Sequence, residues 1–131
     1  MRHAQMSIEI LGMVAILLIV LVIFSAVSLK QQDYAFTERA RMDGNSVCQL
    51  VAYHINSAAS IGDGYSAVMV LPNNIAGSQD YYVQVLDSER RVRVEWYGAF
   101  CELPVLAENF SGTVSKGESL IKNEGGTIVF S

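Results

Sequence analysis

Hydrophobic positions change their rhythm twice along this chain. Residues 10–29 carry no charged side chain, and as a helix rising 1.5 Å per residue they would cover about 30 Å, the thickness of a hydrocarbon core. No proline interrupts residues 5–61, and the glycines there are Gly12 and Gly44, so a single long helix is predicted, with Gly44 as a candidate bend. After Lys30 the apolar positions narrow to one stripe, Phe36, Ala40, Val47, Cys48, Val51, Ile55 and Ala59, with the three, four or seven residue spacing of an amphipathic helix. "SIGDGY" at 60–65 should end it, because glycine readily takes the left-handed conformation of a helix cap. Beyond that point the period falls to two. "YSAVMVLP" (65–72), "YYVQVLD" (81–87) and "RVRVEWYG" (91–98) read as strands, and "ESLIK" and "TIVFS" flanking "NEGG" as a terminal hairpin. "DSER" is a tight turn, and "CELPVLAENFSG" (101–112) an irregular crossover. The expected fold is α+β: a hydrophobic helix over 5–30, its amphipathic continuation over 31–62, and a head over 63–131 whose small antiparallel sheet packs on the C-terminal half of the helix.

Composition narrows the functions. Formal net charge is -4, which leaves no basic face to follow a phosphate backbone, so nucleic acid is not an expected partner. His3 and His54 have no Cys, Asp or Glu at metal-ligand spacing. No glycine-rich phosphate loop, nucleophile elbow or paired-carboxylate pattern is present. Neither catalysis nor a cofactor is expected. Cys48 and Cys101, the two cysteines, are either a disulfide joining the two halves of the chain or two separate buried thiols.

The acid at the entrance of the apolar run carries the most information. Glu9 directly precedes the uncharged stretch, and a carboxylate in hydrocarbon costs several kcal/mol unless something pairs with it. A secretory signal cut after Ala26-Val27-Ser28 would give that acid no role. A cut between Ala4 and Gln5 would remove a leader of residues 1–4, keep the whole apolar helix and create an amine at Gln5, roughly 6 Å along the helix axis from Glu9. An acid near a helix N-terminus is favoured by the macrodipole, and a neighbouring amine favours it further, within one chain or between chains.

With its basic leader, Gln5, Ser7, Glu9 and the run "MVAILLIVLVIFSAV", the segment "AQMSIEILG" resembles the class III signal peptide of archaeal type IV pilins. The likeness is specific over residues 2–30 and continues more loosely into "GDGYSAVMVLPNNIAGSQDYYVQV" (62–85), which is similar to the helix exit, strand and Leu-Pro turn of archaeal pilin heads. It departs in a very short leader and in Ala4, where glycine is common. The resemblance implies a prepilin peptidase cutting before Gln5, a Glu9 that guides assembly, a precursor in the cytoplasmic membrane, a membrane platform with a separate assembly ATPase, and a helical cell-surface filament of identical subunits used for adhesion. Gly12, Ala15, Ser25, Ala26 and Ser28 are small enough for helices to approach closely in such a filament, although the same residues could face lipid.

Two other readings share this fold: a single-pass membrane-anchored binding module outside the cytoplasm, and a minor pilin-like subunit of a secretion or assembly machine. Positive charge does not fix the orientation, because Lys30, Arg39 and Arg41 follow the run while only Arg2 and His3 precede it. "NFS" at 109–111 matches an N-glycosylation acceptor at Asn109. Tyr81, Tyr82, Arg90, Arg91 and Arg93 are expected on exposed strand faces, touching neighbours or simply solvated.

Overall fold

The computed structural model describes the backbone of residues 2–131 and the side chains of residues 8–131. Helix α1 (Arg2–Ile61) is followed by strands β1 (Ser66–Leu71), β2 (Tyr81–Leu86), β3 (Arg91–Trp96), β4 (Ala99–Pro104), β5 (Asn109–Ser111), β6 (Gly117–Glu124) and β7 (Thr127–Phe130). The chain divides into two units, Met1–Thr37 and Glu38–Ser131. The first is helical throughout its described residues. The second is the head, an α+β unit in which the C-terminal part of α1 is packed by two sheets.

One sheet has the order β1-β6-β7-β5 and the other β2-β3-β4. This replaces the single antiparallel sheet expected from the strand pattern. Most neighbours are antiparallel, but β5 runs parallel to β7, because the chain reverses twice between them, once into β6 and once through the hairpin into β7. The crossover before β6 is more ordered than expected, since residues 101–112 contribute most of β4 and all of β5. Pairing to β3 holds β4 extended as far as Pro104 opposite Arg91, where an edge position spares proline the missing donor.

Both sheets bury one face against Val47, Cys48, Val51, Ile55 and Ala58 of the helix. Met69 and Leu71, Val92, Val94 and Trp96, Ile121, Ile128 and Phe130 close the core from the strands. Phe36 is exposed, so the buried stripe starts at Ala40. Gly44 lies within an unbroken helix. It makes room for Trp96, whose ring carbons would lie 2.6 Å from a Cβ at that position. The helix ends as expected, with Ile61 followed by Gly62 at φ +89°, and "DSER" forms a single 3-10 turn with Arg90 left-handed at φ 51°.

Polar side chains tie the helix to the loops above it. Asn123 Nδ2 donates to the Ala58 carbonyl at 2.9 Å, Asn56 Oδ1 accepts from the Leu106 amide at 2.8 Å, and Asp43 Oδ2 from that of Ala76 at 2.9 Å. The last two satisfy loop amides, the first adds to a carbonyl that already accepts from the Gly62 amide, and together they fix the azimuth of the helix beneath the sheets.

Candidate functional site

The apolar half of α1 is long and apolar enough to cross a membrane. Its large side chains are exposed on every face, from 49% at Val14 and Val27 to 73% at Ile8 and Phe24, so apolar surface encircles the helix. Glu9 is exposed on α1 and has no ion-pair partner among the described residues. Ala4, Gln5 and Ser7, the expected cleavage and assembly positions, fall within the span of α1, but their side chains lie outside the described residues.

The structure brings the two cysteines together. Cys48 and Cys101 form a disulfide with their Cα atoms 6.3 Å apart, which joins the buried face of the helix to the edge strand β4. Asn109 is the exposed first residue of β5 and lies at the open edge of the four-stranded sheet, an accessible position for a glycosyl acceptor. His54 is half-buried, its ring edge-on to Tyr53 at 5.7 Å. Among the described residues no cluster of three or more His, Cys, Asp and Glu could hold a metal ion.

The expected row of exposed tyrosine and arginine side chains needs one correction. Tyr81 is fully buried and its hydroxyl donates to the Pro72 carbonyl, and burial raises its pKa. It points inward because the alternation of β2 starts with Tyr81 facing the core, a phase that the Tyr-Tyr pair leaves ambiguous in the sequence. Tyr82 takes the outer face. Arg90 pairs with Glu108 at 2.5 Å, while Arg91 and Arg93 both reach Glu102, at 3.3 Å from Nη1 and 2.6 Å from Nε. The hydrogen bond from Arg93 is the main reason that the Glu102 carboxyl lies below its ordinary range, with the Arg93 charge and Arg91 adding to it.

Register across the three-stranded sheet creates an arrangement that the sequence does not announce. Tyr82 stands opposite Glu95, and Glu95 opposite Phe100. The next outward-facing row is Gln84, Arg93 and Glu102. The Arg93 guanidinium lies 5.1 Å from the centroid of the Phe100 ring, and the Lys116 ammonium 5.5 Å from that of Tyr82. A groove of about 350 Å³ separates this sheet from the other, between β2 and the segment from Phe110 to Val114.

The fold therefore defines a class: an α+β head on a helix whose N-terminal half suits a membrane. The chain matches no family model, no curated protein and no solved structure.

Proposed function

We propose that this chain is a pilin-type structural subunit, held in the cytoplasmic membrane as a precursor and then polymerised into a helical cell-surface filament through residues 10–29 of its helix. The observation that supports this best is the exposed apolar surface around the whole N-terminal half of α1, entered by the single carboxylate of Glu9. Outside lipid such a helix needs another dry environment, and copies of itself supply one. Apolar burial at about 25 cal/mol per Å² is the largest favourable term open to this segment.

In this reading a prepilin peptidase cuts between Ala4 and Gln5, and the new amine pairs with Glu9 in the same chain or a neighbouring one. A one-turn error in depth would leave both charges unmatched in a low dielectric, so the pair acts as a register mark. Head-to-tail contacts repeat without closing and give an open helix. The subunit has no catalytic role, and the energy for extension comes from a separate ATPase acting through a membrane platform.

N-terminal sequencing of protein sheared from cells tests the proposal. A subunit begins at Gln5 and is abundant in the sheared fraction, with Glu9→Ala abolishing that fraction while leaving the membrane pool. Protein that keeps Arg2 and stays in the membrane as a monomer would instead be an anchored binding module, and the proposal would be wrong.

A further inference from the structure

We propose that the outer face of the three-stranded sheet is a binding site for a neutral, extended polysaccharide. The site is the row Tyr82, Glu95 and Phe100 together with the adjacent row Gln84, Arg93 and Glu102. It goes beyond the assembly role, because it concerns only the head and holds whether the head stands on a filament or on a single membrane anchor.

Geometry supplies the first argument. Tyr82 and Phe100 lie on strands separated by one other, and neighbouring strands are about 4.8 Å apart, so the two side chains rise from backbone positions roughly 10 Å apart. Two sugar units of an extended β-linked chain cover a similar length. Both rings are mostly exposed, at 66% and 62%, although aromatic surface is normally buried for its large hydrophobic gain. Both are also held in place. Arg93 lies over one face of Phe100 and Lys116 over one face of Tyr82, so little side-chain freedom remains to be lost when a ligand stacks on the other face.

Charge supplies the second argument and selects the ligand. Arg91 and Arg93 share Glu102 and Lys116 pairs with Asp80, so once Glu95 is counted this face presents no net positive charge to an anionic chain. Glu95, between the rings, is exposed and has no ion-pair partner among the described residues. A carboxylate accepts hydrogen bonds from adjacent hydroxyls and repels a uronate or sulfate. Gln84 adds both an amide donor and an acceptor in the next row. Flat stacking surfaces at a two-sugar interval, with acceptors between and beside them, match the alternating C–H faces and hydroxyl edges of a pyranose chain.

The test uses the full chain in a polyoxyethylene detergent, which carries no sugar, with cellohexaose and N-acetylchitohexaose as neutral probes and an alginate hexamer as the anionic one, measured by calorimetry. Binding of at least one neutral hexamer is expected, with no binding of alginate. Tyr82→Ala and Phe100→Ala should each weaken it tenfold or more and Glu95→Gln several-fold, while Tyr53→Ala, which removes an exposed ring from the helix, leaves it unchanged. Retention of the disulfide and an unaltered melting curve show that each variant is folded. No binding of either neutral hexamer, or equal losses in Tyr53→Ala and Phe100→Ala, would overturn the proposal. So would a Tyr82→Ala variant that fails to polymerise while the wild type binds no glycan, since that face would then be a contact between copies. The mature N-terminus is read separately, so either proposal can fail without the other.

Discussion

Breaking the bond between Cys48 and Cys101 should weaken the head more than any other single change to its covalent structure. The two residues are 53 positions apart, and on the chain-entropy model a closed loop of that size destabilises the unfolded chain by about 4 kcal/mol at 25 °C. A head of this size is stable by only ~5–15 kcal/mol, so the cross-link accounts for a quarter or more of the total. Replacing the cysteines by alanine would mix in a packing loss, because Cys48 has no exposed surface at all. Reducing the native protein separates the two effects.

The assay is urea unfolding of residues 31–131, followed by fluorescence of the chain's one tryptophan, Trp96. Trp96 is buried against Gly44 of the helix, so its emission reports directly on the contact between helix and sheet. With a urea slope of about 2 kcal/mol per M, loss of the cross-link should lower the midpoint by roughly 2 M at unchanged protein concentration. The Cys48→Ala, Cys101→Ala double variant should fall slightly further. An unchanged midpoint in fully reduced protein would refute the reasoning, since it would mean that the folded core alone fixes the helix beneath β4.

Gly112→Ala should be strongly destabilising, by about 3 kcal/mol or more in the same melts: a Cβ there would lie 2.2 Å from the Phe130 carbonyl oxygen, and φ is +86°. Tyr81→Phe should cost about 1–2 kcal/mol by leaving the Pro72 carbonyl without its donor. Tyr81 also predicts an alkaline limit. Its folded pKa is raised, so its contribution is fully present below the ordinary value of about 10 and is lost as pH rises from there through the folded value; the phenylalanine variant should show a shallower decline. Glu102 works at the other end. Its folded pKa is lowered, chiefly by the Arg93 hydrogen bond, so its contribution is present above the ordinary carboxylate value and is lost as pH falls through the folded one. Glu102→Gln should flatten that part of an acid titration followed by Trp96 fluorescence.

The elements that could be read from sequence are those whose own side chains declare a period. The change from an all-apolar helix to a striped one, the stop at Gly62, and the inward Val92, Val94 and Trp96 all follow from one-dimensional spacing. β4 and β5 could not be read that way. Cys101, Glu102 and Leu103 are all only half-buried and show no alternation, so β4 is extended because β3 offers it a ladder, and a strand imposed by its neighbour leaves little trace in its own sequence. Gly44 shows the same dependence on context, since a glycine within a helix suggests a bend until the indole opposite it is known. The row formed by Tyr82, Glu95 and Phe100 is a property of register. Each residue looks like an ordinary exposed strand position, and they become a surface only because β2, β3 and β4 align them.

The two parts of α1 answer to different solvents. From Ala40 onward the buried positions are met by strands and a disulfide within the same chain, so this part needs nothing from outside. The side chains of residues 8–29 are at best half-buried, and at ~1.5–3 kcal/mol for each large one the unburied segment represents tens of kcal/mol that only lipid or another chain can recover. Lipid accepts such a helix in any rotation about its axis, because hydrocarbon does not distinguish one apolar face from another, while Glu9 and Lys30 at the two ends of the run set its depth. A bundle of copies accepts very few rotations, since Gly12, Ala15 and the bulky positions must interlock. Glu9 is the one group in this region that distinguishes these environments electrostatically: at a membrane surface its carboxylate can reach water, whereas inside a bundle it must find a cation. Replacing it should therefore leave insertion intact and remove assembly, a separation that no change among the neighbouring leucines, isoleucines and valines could produce.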